Sequence, residues 1–192
     1  FMHGGLMHIL FNMYELWAFG SPLEQIWGRK KFLFFYFSAG LGAALIHTLV
    51  NYYQVQEGMN ALLNIGISQT EIMNMLNTGQ YNSGILESVS VDRIEALYAS
   101  FNTPAVGASG AIYGVLVAFG LMYPNAELML IFLPIPIKAK YFIPLIIVGD
   151  LFFGITGTST GVAHFAHLGG ALFGFIMAYY WKKNSFDSHR WN

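Results

Sequence analysis

The chain has 192 residues, of which 55% are hydrophobic and only 10% are charged, whereas a soluble domain usually carries about 25% charged residues. The length suffices for one domain, and so little charge indicates an integral membrane protein whose surface largely faces lipid. The net charge of −1 gives no basis for binding nucleic acid, and the lack of cysteine excludes disulfides, thiolate metal ligands and cysteine nucleophiles.

Five apolar segments predict an all-α bundle of membrane-spanning helices. They cover roughly residues 6–19, 32–53, 108–122, 141–155 and 162–181. A full span needs about 20 residues, and the second and fifth segments reach this length. The other three are shorter, which suits helices buried inside a bundle. Because the chain begins with Phe1 just before an apolar stretch, we expect a fragment whose N-terminal part is missing; no signal peptide is visible.

Basic residues mark one side of this bundle. They follow the first segment, precede the fourth and follow the fifth: Arg29, Lys30, Lys31, Lys138, Lys140, Lys182 and Lys183. All lie on one side if each segment crosses the membrane once, and the positive-inside rule makes that side cytoplasmic. The connection 54–107 lies on the other side, and it is acidic with Arg93 as its single base. We therefore expect a bacterial cytoplasmic (inner) membrane, with the N-terminus and this connection outside.

The connection 54–107 is predicted to be a polar insertion that forms two or three short amphipathic helices at the outer surface. Ser68-Gln-Thr-Glu71 is a capping box, which begins a helix through about Leu76. A second helix is predicted over 91–100, with three apolar side chains on one face: Ile94, Leu97 and Tyr98. Insertions gather in surface loops, so we assign no chemistry to this one.

Two prolines, Pro134 and Pro136, lie in the stretch 130–138, between the third and fourth segments. A proline inside a helix removes a hydrogen bond and clashes with the preceding turn. The stretch 130–138 is therefore predicted to be an extended connection on the cytoplasmic side.

Two motifs open the third and fifth segments. Gly107-Ala-Ser109-Gly110 contains a serine that is also typical of small-residue packing motifs. Ala166-His167-Leu-Gly-Gly170 contains an ionisable side chain within a span, which is costly and favours a functional role, although a histidine bonded to a backbone carbonyl fits as well. The third and fifth segments run in the same direction, so both motifs lie about one turn below the outer surface.

Each motif is followed by a close-packing pattern of glycines. Gly110 and Gly114 follow the serine, and Gly170 and Gly174 follow the histidine. GxxxG faces let two helix backbones approach closely. Packing of these faces would bring the Ser109 hydroxyl within reach of the imidazole, and a serine beside a base is the arrangement of an activated nucleophile.

Further side chains fit an acyl-transfer site. Tyr113 follows Ser109 by four residues, so it shares that helix face and could pack on the His167 ring; an ordinary core position is the alternative.

His8 and Asn12 are also four residues apart, and both could donate hydrogen bonds to an oxyanion together with the backbone N–H of Ser109. Hydrogen bonds between helices would explain His8 and Asn12 equally well.

The base is predicted to be His167 rather than His164. His167 lies deeper in the span, level with Ser109, and stands three residues before Gly170, where close packing begins. No acid has a sequence position that fixes it beside this imidazole. Asp150 is the obvious candidate, but it lies late in the fourth segment, and we predict a Ser–His dyad.

These residues resemble the rhomboid family of intramembrane proteases in three ordered motifs. His3-Gly-Gly-Leu-Met-His8-Ile-Leu-Phe-Asn12 is similar to the family's pattern of two histidines and an asparagine. Gly107-Ala-Ser109-Gly110-Ala-Ile-Tyr113 resembles its GxSG nucleophile motif, and Ala166-His167-Leu-Gly-Gly170-Ala-Leu-Phe-Gly174 resembles its AHxxGxxxG base motif. Glu24 also stands in a segment, Gly20 to Gly28, that recurs in the family.

The resemblance covers about 1–52 and 104–182. It implies a compact bundle of six core helices, of which this chain supplies five, the first being absent. It divides the chain into a protease domain over 1–183 and a cytoplasmic tail over 184–192. It also implies hydrolysis of single-span membrane proteins near the outer membrane face, with transmembrane substrates and the lipid bilayer as partners, no nucleic acid, and no metal or organic cofactor.

Two other functions fit parts of the pattern. One is a catalytically inactive rhomboid-like protein that binds membrane clients, but such relatives usually lack the serine or the histidine. The other is a small transporter or channel, which would use the polar cluster without explaining the Ser109 and His167 motifs. Only an activated serine would react with a fluorophosphonate, so that reagent separates the three.

Overall fold

The computed structural model describes residues 2–102, 106–130, 133–156 and 162–185, without the side chains of 130, 133, 134 and 185. The chain divides into two compact units, Phe1–His47 with Ala105–Asn192, and Thr48–Pro104. The elements, in chain order, are α1 (Leu6–Glu15), a π-helical turn (Leu16–Gly20), α2 (Ser21–Trp27), α3 (Arg29–Asn64), α4 (Gln69–Thr78), a 3-10 turn (Ser83–Glu87), α5 (Val91–Asn102), α6 (Ser109–Met122), β1 (Glu127–Leu130), β2 (Leu133–Lys138), α7 (Ala139–Thr156) and α8 (His164–Ser185).

The first unit is a helical membrane bundle, as the sequence predicted. α3, with 36 residues, and α7, with 18, are long and apolar enough to cross a membrane. Their outer faces expose large apolar side chains such as Leu41 and Leu145, which suits contact with lipid. α6 is shorter, and nearly every residue from Ala111 to Phe119 is buried. A helix that is apolar all round and buried forms the centre of a bundle.

The basic end of the bundle is held together by specific contacts. The Lys182 ammonium, near the end of α8, donates to the Leu121 carbonyl oxygen at 2.7 Å. Lys31, at the start of α3, lies 4.3 Å from the ring centroid of Trp181. The start of α3 and the ends of α6 and α8 therefore meet at one end, and Ser109 at the start of α6 lies at the other.

The stretch between α6 and α7 is a β-hairpin, which the sequence did not predict. β1 pairs with β2 in antiparallel fashion, with Glu127 opposite Lys138 and Leu128 opposite Ile137. The extended conformation expected around Pro136 is present, and residues 131 and 132 lie outside the described part of the chain.

The second unit packs α4, the 3-10 turn and α5 around an apolar cluster. Its members are Leu62, Ile72, Met75, Leu76, Ile85, Val89, Ile94 and Leu97. The predicted capping box is confirmed, since the Ser68 hydroxyl accepts from the Glu71 N–H at 3.3 Å. The predicted helix over 91–100 is also present as α5, but Tyr98 is 38% exposed and does not join the buried face.

Candidate active site

The site is built on the contact between α6 and α8, whose backbones touch through glycines. A Cβ at Gly170 would overlap the Gly110 carbonyl group, and one at Gly114 would lie 2.9 Å from the Gly170 carbonyl oxygen. Only glycine fits in such a contact, because any side chain would hold the helices apart. α6 and α8 begin at the same end of this contact, so the first turns of both helices lie side by side.

Ser109 and His167 meet at the start of these two helices. The His167 Nε2 atom lies 2.8 Å from the Ser109 Oγ atom, which is within the range required of a nucleophile and its base. Ser109 is the first residue of α6, so its backbone N–H is one of those left without a partner inside the helix. Ser109 therefore offers both a hydroxyl beside the imidazole and a backbone N–H that can donate a hydrogen bond.

Tyr113 covers one face of the imidazole. Its ring centroid lies 4.1 Å from that of His167, and the two planes differ by 15°. Tyr113 follows Ser109 by one helical turn, and the spacing predicted that its ring could pack on His167, where the structure places it. The stacked tyrosine restricts the tilt of the His167 ring.

Asp150, the candidate acid whose relation to His167 the sequence did not fix, lies in the site. His167 Nδ1 is 3.4 Å from both oxygens of the Asp150 carboxylate, and His164 Nδ1 is 2.5 Å from one of them. The sequence did not reveal the position of Asp150, because that position depends on how α7 is rotated about its own axis when it packs against α8. No motif near Asp150 determines that rotation. An acid inside a membrane span was nevertheless a signal, since such residues are rare and commonly functional.

His8 lies against the loop that leads into α6. A Cβ at Gly107, where φ is +101°, would lie 2.6 Å from the His8 Nε2 atom, so the ring covers the backbone two residues before Ser109. The Gly4 N–H points to His8 Nδ1 at 3.4 Å. Nδ1 is then the acceptor, and Nε2, which faces Gly107, is the ring atom left to act as a donor.

Asn12 is 4% exposed and lies on α1 one turn beyond His8. Its amide nitrogen donates to the His8 carbonyl oxygen at 2.8 Å. One amide N–H remains for another acceptor, and the side-chain oxygen is buried without a hydrogen-bond partner among the described residues. The structure thus places the His8 ring beside the loop before Ser109. The Asn12 side chain is instead hydrogen-bonded to the backbone of its own helix, α1.

A bundle of apolar helices with a serine and a histidine in hydrogen-bond contact defines a class, that of multi-span membrane proteins with a Ser–His pair between two of their helices. The Rhomboid domain family matches residues 1–184, and the chain belongs to this family. No solved structure gives a significant match.

Curated relatives carry the same family name. The presenilin-associated rhomboid-like protein, mitochondrial, of Bos taurus is 33% identical over 175 residues, which are 91% of this chain and 34% of that protein. Its Homo sapiens counterpart is 32% identical over the same shares. Rhomboid protein 1, mitochondrial, of Saccharomyces cerevisiae is 22% identical over 186 residues, covering 95% of this chain and 40% of that protein. The chain therefore spans about a third of the length of the mammalian relatives.

The predicted bacterial cytoplasmic membrane is wrong. Relatives from mammals and yeast are named mitochondrial proteins. The error has a physical reason: the distribution of Lys and Arg indicates which helix ends share a side of the membrane, but it carries no information about which membrane that is. The grouping of basic residues at one end of the bundle is unaffected.

Proposed function

We propose that this protein is an intramembrane serine endopeptidase that cleaves single-span membrane proteins, with Ser109 as the nucleophile and His167 as the base. The observation that supports this most is the 2.8 Å contact between His167 Nε2 and Ser109 Oγ. It occurs inside a membrane bundle, where a polar pair without a function would be costly.

In the first half of the reaction, Ser109 Oγ attacks the carbonyl carbon of the scissile peptide bond, and His167 Nε2 takes its proton. The carbonyl oxygen becomes an oxyanion, for which the candidate donors are the Ser109 backbone N–H, the His8 Nε2–H and the remaining Asn12 amide N–H. His167 then gives its proton to the leaving amine, the C–N bond breaks, and an acyl-enzyme ester remains on Ser109.

In the second half, water replaces the amine. His167 takes a proton from the water as its oxygen attacks the ester carbonyl, and the same donors bind the second oxyanion. The C–O bond to Ser109 breaks, and His167 returns the proton to Oγ. The products are two peptides, one with a new carboxylate and one with a new amine.

The substrate class follows from where the site lies. Ser109 and His167 stand at the beginning of helices that pack inside the membrane bundle, so a substrate must present its peptide bond at that level. A peptide bond inside a helix is shielded by its own turns, and the substrate helix must therefore unwind near the face where α6 and α8 begin. We further propose a mitochondrial membrane as the location; the support is the names of the relatives.

Cleavage of a single-span reporter in proteoliposomes that contain the full chain tests the proposal. We expect turnover and fluorophosphonate labelling by the wild type, and neither by Ser109→Ala. Labelling that survives Ser109→Ala would refute the assignment. Binding of the reporter without labelling or cleavage would instead identify an inactive rhomboid-like protein that binds membrane clients.

A further inference from the structure

The Asp150 carboxylate is a buried acid that the Ser–His mechanism leaves unexplained. It is 7% exposed and lies in α7, a helix that is long and apolar enough to cross a membrane. Removing a carboxylate from water is expensive unless partners compensate for the lost hydration. Tyr113 lies within hydrogen-bond reach of it, and its ion-pair partners among the described residues are two imidazoles, His164 at 2.5 Å and His167 at 3.4 Å. Both lie at the site where Ser109 would react.

We propose that Asp150 is a positioning residue, whose carboxylate sets the tautomer and orientation of His167. This inference rests on the proposed peptidase function. His167 can take the Ser109 proton only if Nε2 is unprotonated, so the ring proton must reside on Nδ1. That atom faces Asp150, and an N–H directed at a carboxylate is the stable arrangement.

Asp150 and Tyr113 restrain different motions of the same ring. Tyr113 stacks on the imidazole face at 4.1 Å and limits its tilt, but a stacked ring does not distinguish Nδ1 from Nε2. Asp150 lies in contact with Nδ1 and does distinguish them. The two residues together hold Nε2 towards Ser109 Oγ, where the contact is 2.8 Å.

His164 shares the carboxylate with His167. Its Nδ1 is 2.5 Å from one Asp150 oxygen, whereas His167 Nδ1 is 3.4 Å from both oxygens, longer than the roughly 2.7–2.9 Å of a strong charge-assisted bond. In the resting state the carboxylate is therefore held mainly by His164. When His167 takes the Ser109 proton it becomes positive, and the attraction to Asp150 strengthens at the moment of reaction.

A second acid supplies a matched control. Glu15, on α1, is close enough to His167 for their charges to interact, but no hydrogen bond joins the two in the described part of the chain. Glu15→Gln therefore removes a nearby negative charge without removing the acceptor of Nδ1. Asp150→Asn removes the charge and replaces one carboxylate oxygen by an amide NH₂ group, which can stabilise the wrong tautomer by offering its N–H to Nδ1.

The experiment measures kcat and KM for a single-span reporter in proteoliposomes, with thermal unfolding of each variant as the fold control. We expect Asp150→Asn to lower kcat by at least about tenfold with KM little changed, since the loss of a triad aspartate can reach about 10⁴-fold when its bond to the base is short. Glu15→Gln should lose clearly less. In a His167→Ala background, Asp150→Asn should cause no further loss of the residual rate, because its effect passes through the imidazole.

The outcomes separate this inference from the function on which it rests. No Ser109-dependent turnover in the wild type would overturn the proposed function, and the role of Asp150 with it. An active wild type, together with Asp150→Asn above half of the wild-type kcat or an undiminished loss in the His167→Ala background, would overturn the role of Asp150 alone. Should Asp150→Asn not fold, Asp150→Glu replaces it: displacement of the carboxylate by one methylene should lower kcat in the folded protein, whereas wild-type kcat would refute positioning.

Discussion

Substitution of Gly114 by alanine should separate α6 from α8 and slow the reaction of Ser109. A Cβ at Gly114 would lie 2.9 Å from the Gly170 carbonyl oxygen and 2.6 Å from the Ala39 Cβ atom. Ordinary van der Waals contacts begin at 3.4 Å. To bring the Cβ atom that far from the Gly170 carbonyl oxygen, α6 and α8 must move apart by about 0.5 Å. The same shift would lengthen the Ser109–His167 contact from 2.8 Å to beyond the roughly 3.2 Å limit for proton transfer.

The size of the effect follows from that displacement. A misplacement of about 1 Å can cost about 10²-fold in rate, so half of it should cost about tenfold. Overpacking of this kind destabilises by roughly 1–3 kcal/mol, partly offset by up to about 1 kcal/mol from the better helix propensity of alanine. Gly149→Ala on α7 is the matched control, because nothing lies within 4 Å of a Cβ there.

The assay is the rate of fluorophosphonate labelling of Ser109, measured beside thermal unfolding in the same detergent. Gly114→Ala should label about tenfold more slowly and unfold at a lower temperature. Gly149→Ala should label at the wild-type rate and unfold at the same or a higher temperature. Wild-type labelling by Gly114→Ala would show that the reactivity of Ser109 does not depend on the glycine contact.

Two further predictions concern the imidazoles and the oxyanion donors. His167→Ala should reduce proteolysis to a small residual rate, because Ser109 loses its base, whereas His164→Ala should keep at least about a tenth of the activity, because Asp150 remains beside His167. The reverse pattern in a reporter-cleavage assay, with both variants folded, would show that the wrong histidine was chosen. His8→Ala and Asn12→Ala should lower kcat more than KM, by on the order of 10²–10³ for a single indispensable donor and less where the donors replace one another; an unchanged kcat in the double variant would make both residues structural.

Much of the candidate site could be predicted from the sequence, because most of its residues lie in short motifs. Gly107 to Tyr113 and Ala166 to Gly174 each contain both the functional side chain and the glycines that pack beside it. Given two such helices running in the same direction, close packing can bring Ser109 to His167, and the 2.8 Å contact has this origin. The helix cap at Ser68 is local in the same sense.

What the sequence did not predict depends on contacts between distant residues. The position of Asp150 depends on how α7 rotates against α8, which no pattern within α7 encodes. The β-hairpin joins two strands of four and six residues, too short for a clear alternation of polar and apolar side chains. The end of α3 was placed near Tyr53 because polar residues begin there, but a helix continues beyond the apolar part of its sequence when its next turns find packing partners, as Leu62 does in its cluster.

Backbone contact between α6 and α8 limits how the molecule can open. Side chains at an interface can change rotamer and yield, but the Gly110, Gly114, Gly170 and Gly174 contact has none to move, and the bond from Lys182 to Leu121 holds the far ends. Ser109 and His167 are therefore expected to move together as one rigid body. Under the proposed function, any gate that admits a substrate must then be formed by neighbouring helices. If α7 is part of that gate, each opening would also draw the Asp150 carboxylate away from His167 and leave Ser109 less reactive.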